Sequence, residues 1–107
     1  MKKENQFQAS LIKEIKERFP GAIVLKNDPN YIQGIPDLTV LHEDGWALLE
    51  VKRDANASHQ PNQDHYISKA NEMQFGSFVY PENKEEVLNG IQESFEHQRG
   101  RSRIFRG

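Results

Sequence analysis

Apolar residues recur along the first part of the chain at helical spacing. Phe7, Leu11, Ile15 and Phe19 follow one another at four-residue intervals, Ile12 widens the stripe, and Pro20-Gly21 ends it, predicting a helix over 5–19. Residues 22–26 (AIVLK) are aliphatic and β-branched and predict a short strand. After the polar loop NDPNYIQG, residues 36–52 read as a β-hairpin. Leu38, Val40 and Leu41 lie on its first arm and Trp46 to Val51 on its second, with Asp44-Gly45 favouring a primed two-residue turn. A polar loop at 53–62 leads to a helix from Gln63 to about Gln74, with Tyr66, Ile67, Ala70 and Met73 expected inward, and then to a strand at 76–80 (GSFVY). Asn83 with Glu86 has the spacing of a capping box, opening a last helix lined by Val87, Leu88, Ile91 and Phe95. The acidic positions from Glu82 to Glu96 suit the solvated side of such a helix. The resulting order, α-β-β-β-α-β-α, predicts a mixed α/β (α+β) domain in which helices flank a small mixed sheet.

Within that pattern the hairpin carries the chemistry. If Asp44-Gly45 is the turn, Glu43 pairs with Trp46, Asp37 falls opposite Lys52, and Glu50 lies diagonally across from Asp37, within roughly 7–8 Å. The same register pairs Leu38 with Val51 and Val40 with Leu49, so one face is apolar and the other holds two acids and a lysine. Two converging carboxylates repel unless a positive charge lies between them. A hard divalent cation such as Mg²⁺ or Mn²⁺ suits such oxygen donors, keeping waters and substrate phosphate oxygens for its other positions. Lys52 beside it is placed to orient an attacking water and to offset charge on a phosphorane-like transition state.

Gly34-Ile35-Pro36-Asp37-Leu38, Leu49-Glu50-Val51-Lys52 and Gln63 resemble the motifs of the PD-(D/E)XK nuclease superfamily, most of all its small stand-alone VRR-NUC and phage-type branches. The similarity runs from about residue 5 to residue 80. It implies a restriction-endonuclease-like αβββαβ core with an additional C-terminal helix, and the hydrolysis of DNA phosphodiester bonds. Asp37, Glu50 and the Val51 carbonyl are then the metal ligands, Lys52 positions water, and Gln63 joins the catalytic group. The resemblance also implies a branched substrate such as a Holliday junction, a homodimer, and a bacterial or phage-infected cytoplasm. In one respect the chain departs from the pattern. The glutamate usual on the first helix falls at Gln8, with Glu4 one turn earlier on the same side as a substitute. The rival expectation is a nuclease-fold module that binds DNA or protein with reduced cleavage.

Charge and composition modify this picture in two ways. The net charge of −2 conceals an asymmetry, because residues 99–107 hold four of the six arginines and no acid, leaving ten basic against sixteen acidic residues elsewhere. Residues 1–97 are expected to form the single domain and 98–107 a basic, flexible tail. Lys26, Tyr31, Gln33, Arg53, Arg99, Arg101 and Arg103 are the candidate DNA contacts. So sparse a basic surface favours recognition of DNA shape, or recruitment by a partner protein, over sequence reading. The chain has no cysteine, which excludes disulfides, thiolate metal sites and a cysteine nucleophile, and no apolar run long enough for a membrane span. His42, His59, His65 and His97 lack metal-ligand spacing and are expected at the surface, Trp46 in hairpin packing.

Overall fold

The stripe of the first helix, the alternation of the hairpin and the stripe of the last helix converge on one core. A computed structural model describes residues 2–106, and the side chains of 4–100. Helix α1 (Lys2–Arg18) is followed by strands β1 (Ile23–Lys26), β2 (Leu38–His42) and β3 (Gly45–Val51), helix α2 (Pro61–Met73), strand β4 (Gly76–Val79), a 3₁₀ turn (Pro81–Asn83) and helix α3 (Lys84–Arg106). The four strands lie in sequence order. β1–β2 and β2–β3 are antiparallel, while α2 carries the chain over so that β4 joins parallel to β3. The mixed α/β expectation and the element order are both met.

Leu11, Ile15 and Phe19 of α1 and Val87, Leu88, Ile91 and Phe95 of α3 are buried with Leu38, Val40, Ala47, Leu49, Val51 and Val79 on one face of the sheet. Each of the larger side chains so buried contributes about 1.5–3 kcal/mol relative to exposure. The opposite face is covered over β3 and β4 by α2, through Ile67 and Ala70. Gly76 makes that approach possible, since a Cβ there would stand 2.6 Å from the Ala70 Cβ. Over β1 and β2 this second face is uncovered, and Ile23, Leu25 and Leu41 are exposed.

Several details differ from the sequence expectation. The hairpin closes at His42↔Gly45, with Glu43 and Asp44 as the loop, so every β2–β3 pair is shifted by two residues: Leu38 faces Leu49, and Val40 faces Ala47. A primed turn at Asp44-Gly45 needs positive φ at its first residue, Asp44. Asp44 does not supply it, because its amide donates to His42 Nδ1 at 3.1 Å, and among the described residues only glycines have positive φ. Met73, expected inward, is exposed, and Tyr66 is half-buried, since the short stripe of α2 needs only Ile67 and Ala70 against the sheet. Asn83 does not cap α3 with Glu86. Its Oδ1 accepts from the Tyr80 amide and its Nδ2 donates to the Phe78 carbonyl, tying the 3₁₀ turn back to β4. α3 continues without a break into the basic segment expected at 98–107. None of the helices of the described residues is long and apolar enough to cross a membrane.

Candidate metal centre on the hairpin

Because a two-residue shift preserves strand faces, the expected cluster forms, but with a different neighbour. Continued one step past Leu38↔Leu49, the register sets Asp37 opposite Glu50 rather than opposite Lys52. The Asp37 amide donates to Glu50 Oε1 at 3.2 Å, and the Val51 amide donates to Asp37 Oδ2 at 3.0 Å. Regular pairing stops here for a chemical reason. Opposed residues in an antiparallel pair that exchange hydrogen bonds point amide and carbonyl to the same side. The Val51 carbonyl therefore faces β2, where the amide to meet it would belong to Pro36, which has none. The Val51 carbonyl is thus a third oxygen on the same edge as the two carboxylates.

Asn27, at the end of β1, holds this broken ladder in place. Its amide donates to the Asp37 carbonyl at 2.8 Å, its Nδ2 donates to the Pro36 carbonyl at 2.8 Å, and Thr39 Oγ1 donates to its Oδ1 at 3.1 Å. In the sequence Asn27 opens the polar loop NDPNYIQG, and nothing in its neighbours marks it as a brace. From the other side the site is closed by the start of α2. Gln63 Nε2 donates to Glu50 Oε2 at 2.9 Å, and Gln63 Oε1 accepts from Lys52 Nζ at 2.9 Å and from the Gln60 amide at 3.0 Å. Lys52 Nζ is 3.5 Å from Glu50 Oε2. Gln63 is therefore a brace between the acid and the lysine. Gln60 caps α2 and Pro61 opens it, where a missing amide costs nothing.

Burial makes the carboxylates electrostatically unusual. Glu50, 4% exposed, is the buried charged residue among those described. Desolvation pushes its carboxyl up to about 7, the neighbouring Asp37 charge adds to this, and Lys52 opposes it. Burial also raises Asp37; the Val51 amide counteracts that, the charge of Glu4 adds to it, and Lys52 lowers it. Glu4 thus reaches Asp37 electrostatically from the first turn of α1. Gln8 is half-buried one turn later.

The donor set fits a hard divalent cation: two carboxylates held above their ordinary pKa chiefly by burial, and one carbonyl without a ladder partner. No group of three His, Cys, Asp or Glu side chains with metal-binding geometry occurs among the described residues. Mg²⁺ tolerates so sparse a protein shell because it retains waters and takes phosphate oxygens.

The remaining candidates are dispersed. Lys26, Tyr31 and Gln33 are exposed around the loop before Asp37, with Tyr31 84% accessible, and Arg53 pairs with Asp54 at 3.2 Å just past Lys52. Arg99 lies at the other end of the hairpin, 3.6 Å from Asp44, beside a cleft of about 340 Å³ that Arg18, His42 and Phe95 also line. Gly45 is five strand residues from Glu50, about 16 Å, so Arg99 does not join the site. The side chains of Arg101 and Arg103 lie outside the described residues. His59, His65 and His97 are exposed as expected, with the His59 ring on Phe78, whereas His42 is half-buried and stacked on Phe95.

Gly34 fixes the loop that delivers Asp37. It has φ +88°, and a Cβ there would overlap the Asn62 Cβ and approach the Asn62 carbonyl carbon to 3.0 Å. Gly34→Ala combines left-handed strain with a clash against the first turn of α2. The expected loss is about 2–4 kcal/mol in thermal or urea unfolding.

No family model matches the chain, and no curated protein does.

Proposed function

We propose that this chain is a Mg²⁺- or Mn²⁺-dependent endodeoxyribonuclease of the PD-(D/E)XK type, hydrolysing phosphodiester bonds at Asp37, Glu50 and Lys52. The observation that carries the reading is the contact of Asp37 with Glu50 at the opened end of the hairpin, its amide 3.2 Å from Glu50 Oε1, with a half-buried lysine 3.5 Å from Glu50. Asp37, Glu50 and the Val51 carbonyl would hold a divalent cation, which would supply Lewis-acid polarisation of the phosphate and a lowered pKa for the attacking water. Lys52, fixed by Gln63, orients the attacking water and offsets charge developing on the phosphate oxygens. The acidic body and dispersed basic residues favour a substrate recognised by shape, such as branched DNA, presented to a homodimer or delivered by a recruiting protein.

The test is incubation of purified protein with linear, nicked, flapped and four-way DNA, with Mg²⁺, Mn²⁺ or a chelator. Cation-dependent cleavage is expected, and Lys52→Ala should reduce its rate by about 10²–10³-fold. Unchanged cleavage by that variant removes the assignment of Lys52. Binding without cleavage under either metal replaces the nuclease by a DNA-binding module of the same fold.

A further inference from the structure

His59 occupies a position that the metal-centre chemistry leaves unused. Glu50 and Phe78 are register partners in the parallel β3–β4 pair, so their side chains leave the sheet on the same face. The His59 ring lies flat on Phe78, with centroids 3.8 Å apart and planes 12° from parallel. Its Nδ1 is 3.2 Å from Asp64 Oδ1, in the first turn of α2. The segment 59–63 therefore crosses above the site with His59 over β4 and Gln63 on Glu50. Two independent contacts fix the ring, a stack and a carboxylate. Its Nε2 has no protein partner among the described residues, and the side chain is 37% accessible. A carboxylate on one imidazole nitrogen sets the tautomer and orientation of the other, the arrangement that lets histidine deliver a proton.

We propose that His59 is the general acid of the reaction, a role that rests on the nuclease reading above. As the water oxygen forms its bond to phosphorus, the bond from phosphorus to the leaving oxygen breaks and that oxygen takes the electron pair. His59 Nε2–H gives it a proton, the attacking water releases one to solvent, and the imidazole is recharged from solvent. Asp64 holds the ring at Nδ1 and so aims Nε2 away from α2. Glu50 and Lys52, on the same face of the sheet, are both already engaged with Gln63. Asp37 then flanks the phosphate from β2 and His59 from β4.

The test uses the full chain with ordinary DNA and with DNA carrying sulfur at the bridging position, 3′ and 5′ in separate substrates. A thiolate leaves without protonation. His59→Gln removes the acid, and His59→Phe removes it while keeping an aromatic ring on Phe78. Both variants should lose about a hundredfold on ordinary DNA, yet cleave the substrate with sulfur in the leaving position within about threefold of wild type. Equal activity on ordinary DNA overturns the role of His59. Equal loss on both substrates also overturns it and leaves His59 a packing residue. A wild-type protein inert on every DNA fails the nuclease reading itself, and the general acid with it.

Discussion

Asp37→Asn is expected to abolish cation-dependent cleavage, with a fall on the order of a thousandfold or more, since a bound cation contributes several kcal/mol and each 1.36 kcal/mol is tenfold. The substitution is nearly isosteric, and the Asn27 brace acts on the main chain of residues 36 and 37. The fold should therefore survive, with an amide oxygen in place of Oδ2 still able to accept from the Val51 amide. What disappears is the second negative charge. Removing it also relieves Glu50, whose carboxyl is held high in part by Asp37, so the Asn variant binds cations weakly and is easier to ionise at Glu50. Titration with Mn²⁺, followed by calorimetry or by the relaxation of water protons, measures this directly. Cleavage retained by Asp37→Asn at saturating metal would exclude Asp37 as a ligand. Lost cleavage with undiminished Mn²⁺ affinity would move its role to the substrate.

The hairpin shows how much of this site was legible in the sequence and where legibility ended. Alternation in β2 and β3 separates faces with a period of two, so it assigns Asp37, Glu50 and Lys52 to one face whether the turn is Asp44-Gly45 or Glu43-Asp44. It does not distinguish registers that differ by two. That choice depends on contacts remote in sequence: the Asp44 amide on His42, and Gly45 packed so closely that a Cβ would meet Gln74 and Phe95. The buried faces of α1 and α3 were legible for the same periodic reason, whereas α2, with a short contact, buries fewer residues than its pattern allowed. Two of the residues around the site have no local signature. Asn27 matters because Pro36 lacks an amide, nine residues away. His59 matters because β4 brings Phe78 beside Glu50. Such roles belong to tertiary placement, and a single sequence contains no periodicity that records them.

The raised carboxyl of Glu50 leads to a second large effect, on stability rather than rate. Its ordinary pKa of 4.5 becomes about 7 in the fold, so the folded state prefers the neutral acid. A group whose pKa is raised on folding contributes its stability in full below the unfolded value, and loses it as pH rises through the folded value. The metal-free protein should therefore weaken between about pH 4.5 and 7.5, by up to about 3 kcal/mol from this group. For a domain of this size that is a fall in Tm of roughly 10 °C or more. A divalent cation needs the ionised form, so Mg²⁺ or Mn²⁺ should restore much of the loss at pH 8 and change little at pH 5. Glu50→Gln should flatten the profile, melt above the metal-free wild type at pH 8, and no longer respond to the cation, while being inactive in cleavage. Thermal melts of both proteins from pH 5 to 8, with chelator and with metal, test each part. A wild-type profile that rises across this window, or a Gln variant with the same slope as wild type, would show that Glu50 is not the buried acid governing it. A protein stabilised by losing Glu50 but active only with it retains that carboxylate for its chemistry, because the core underneath is complete without it.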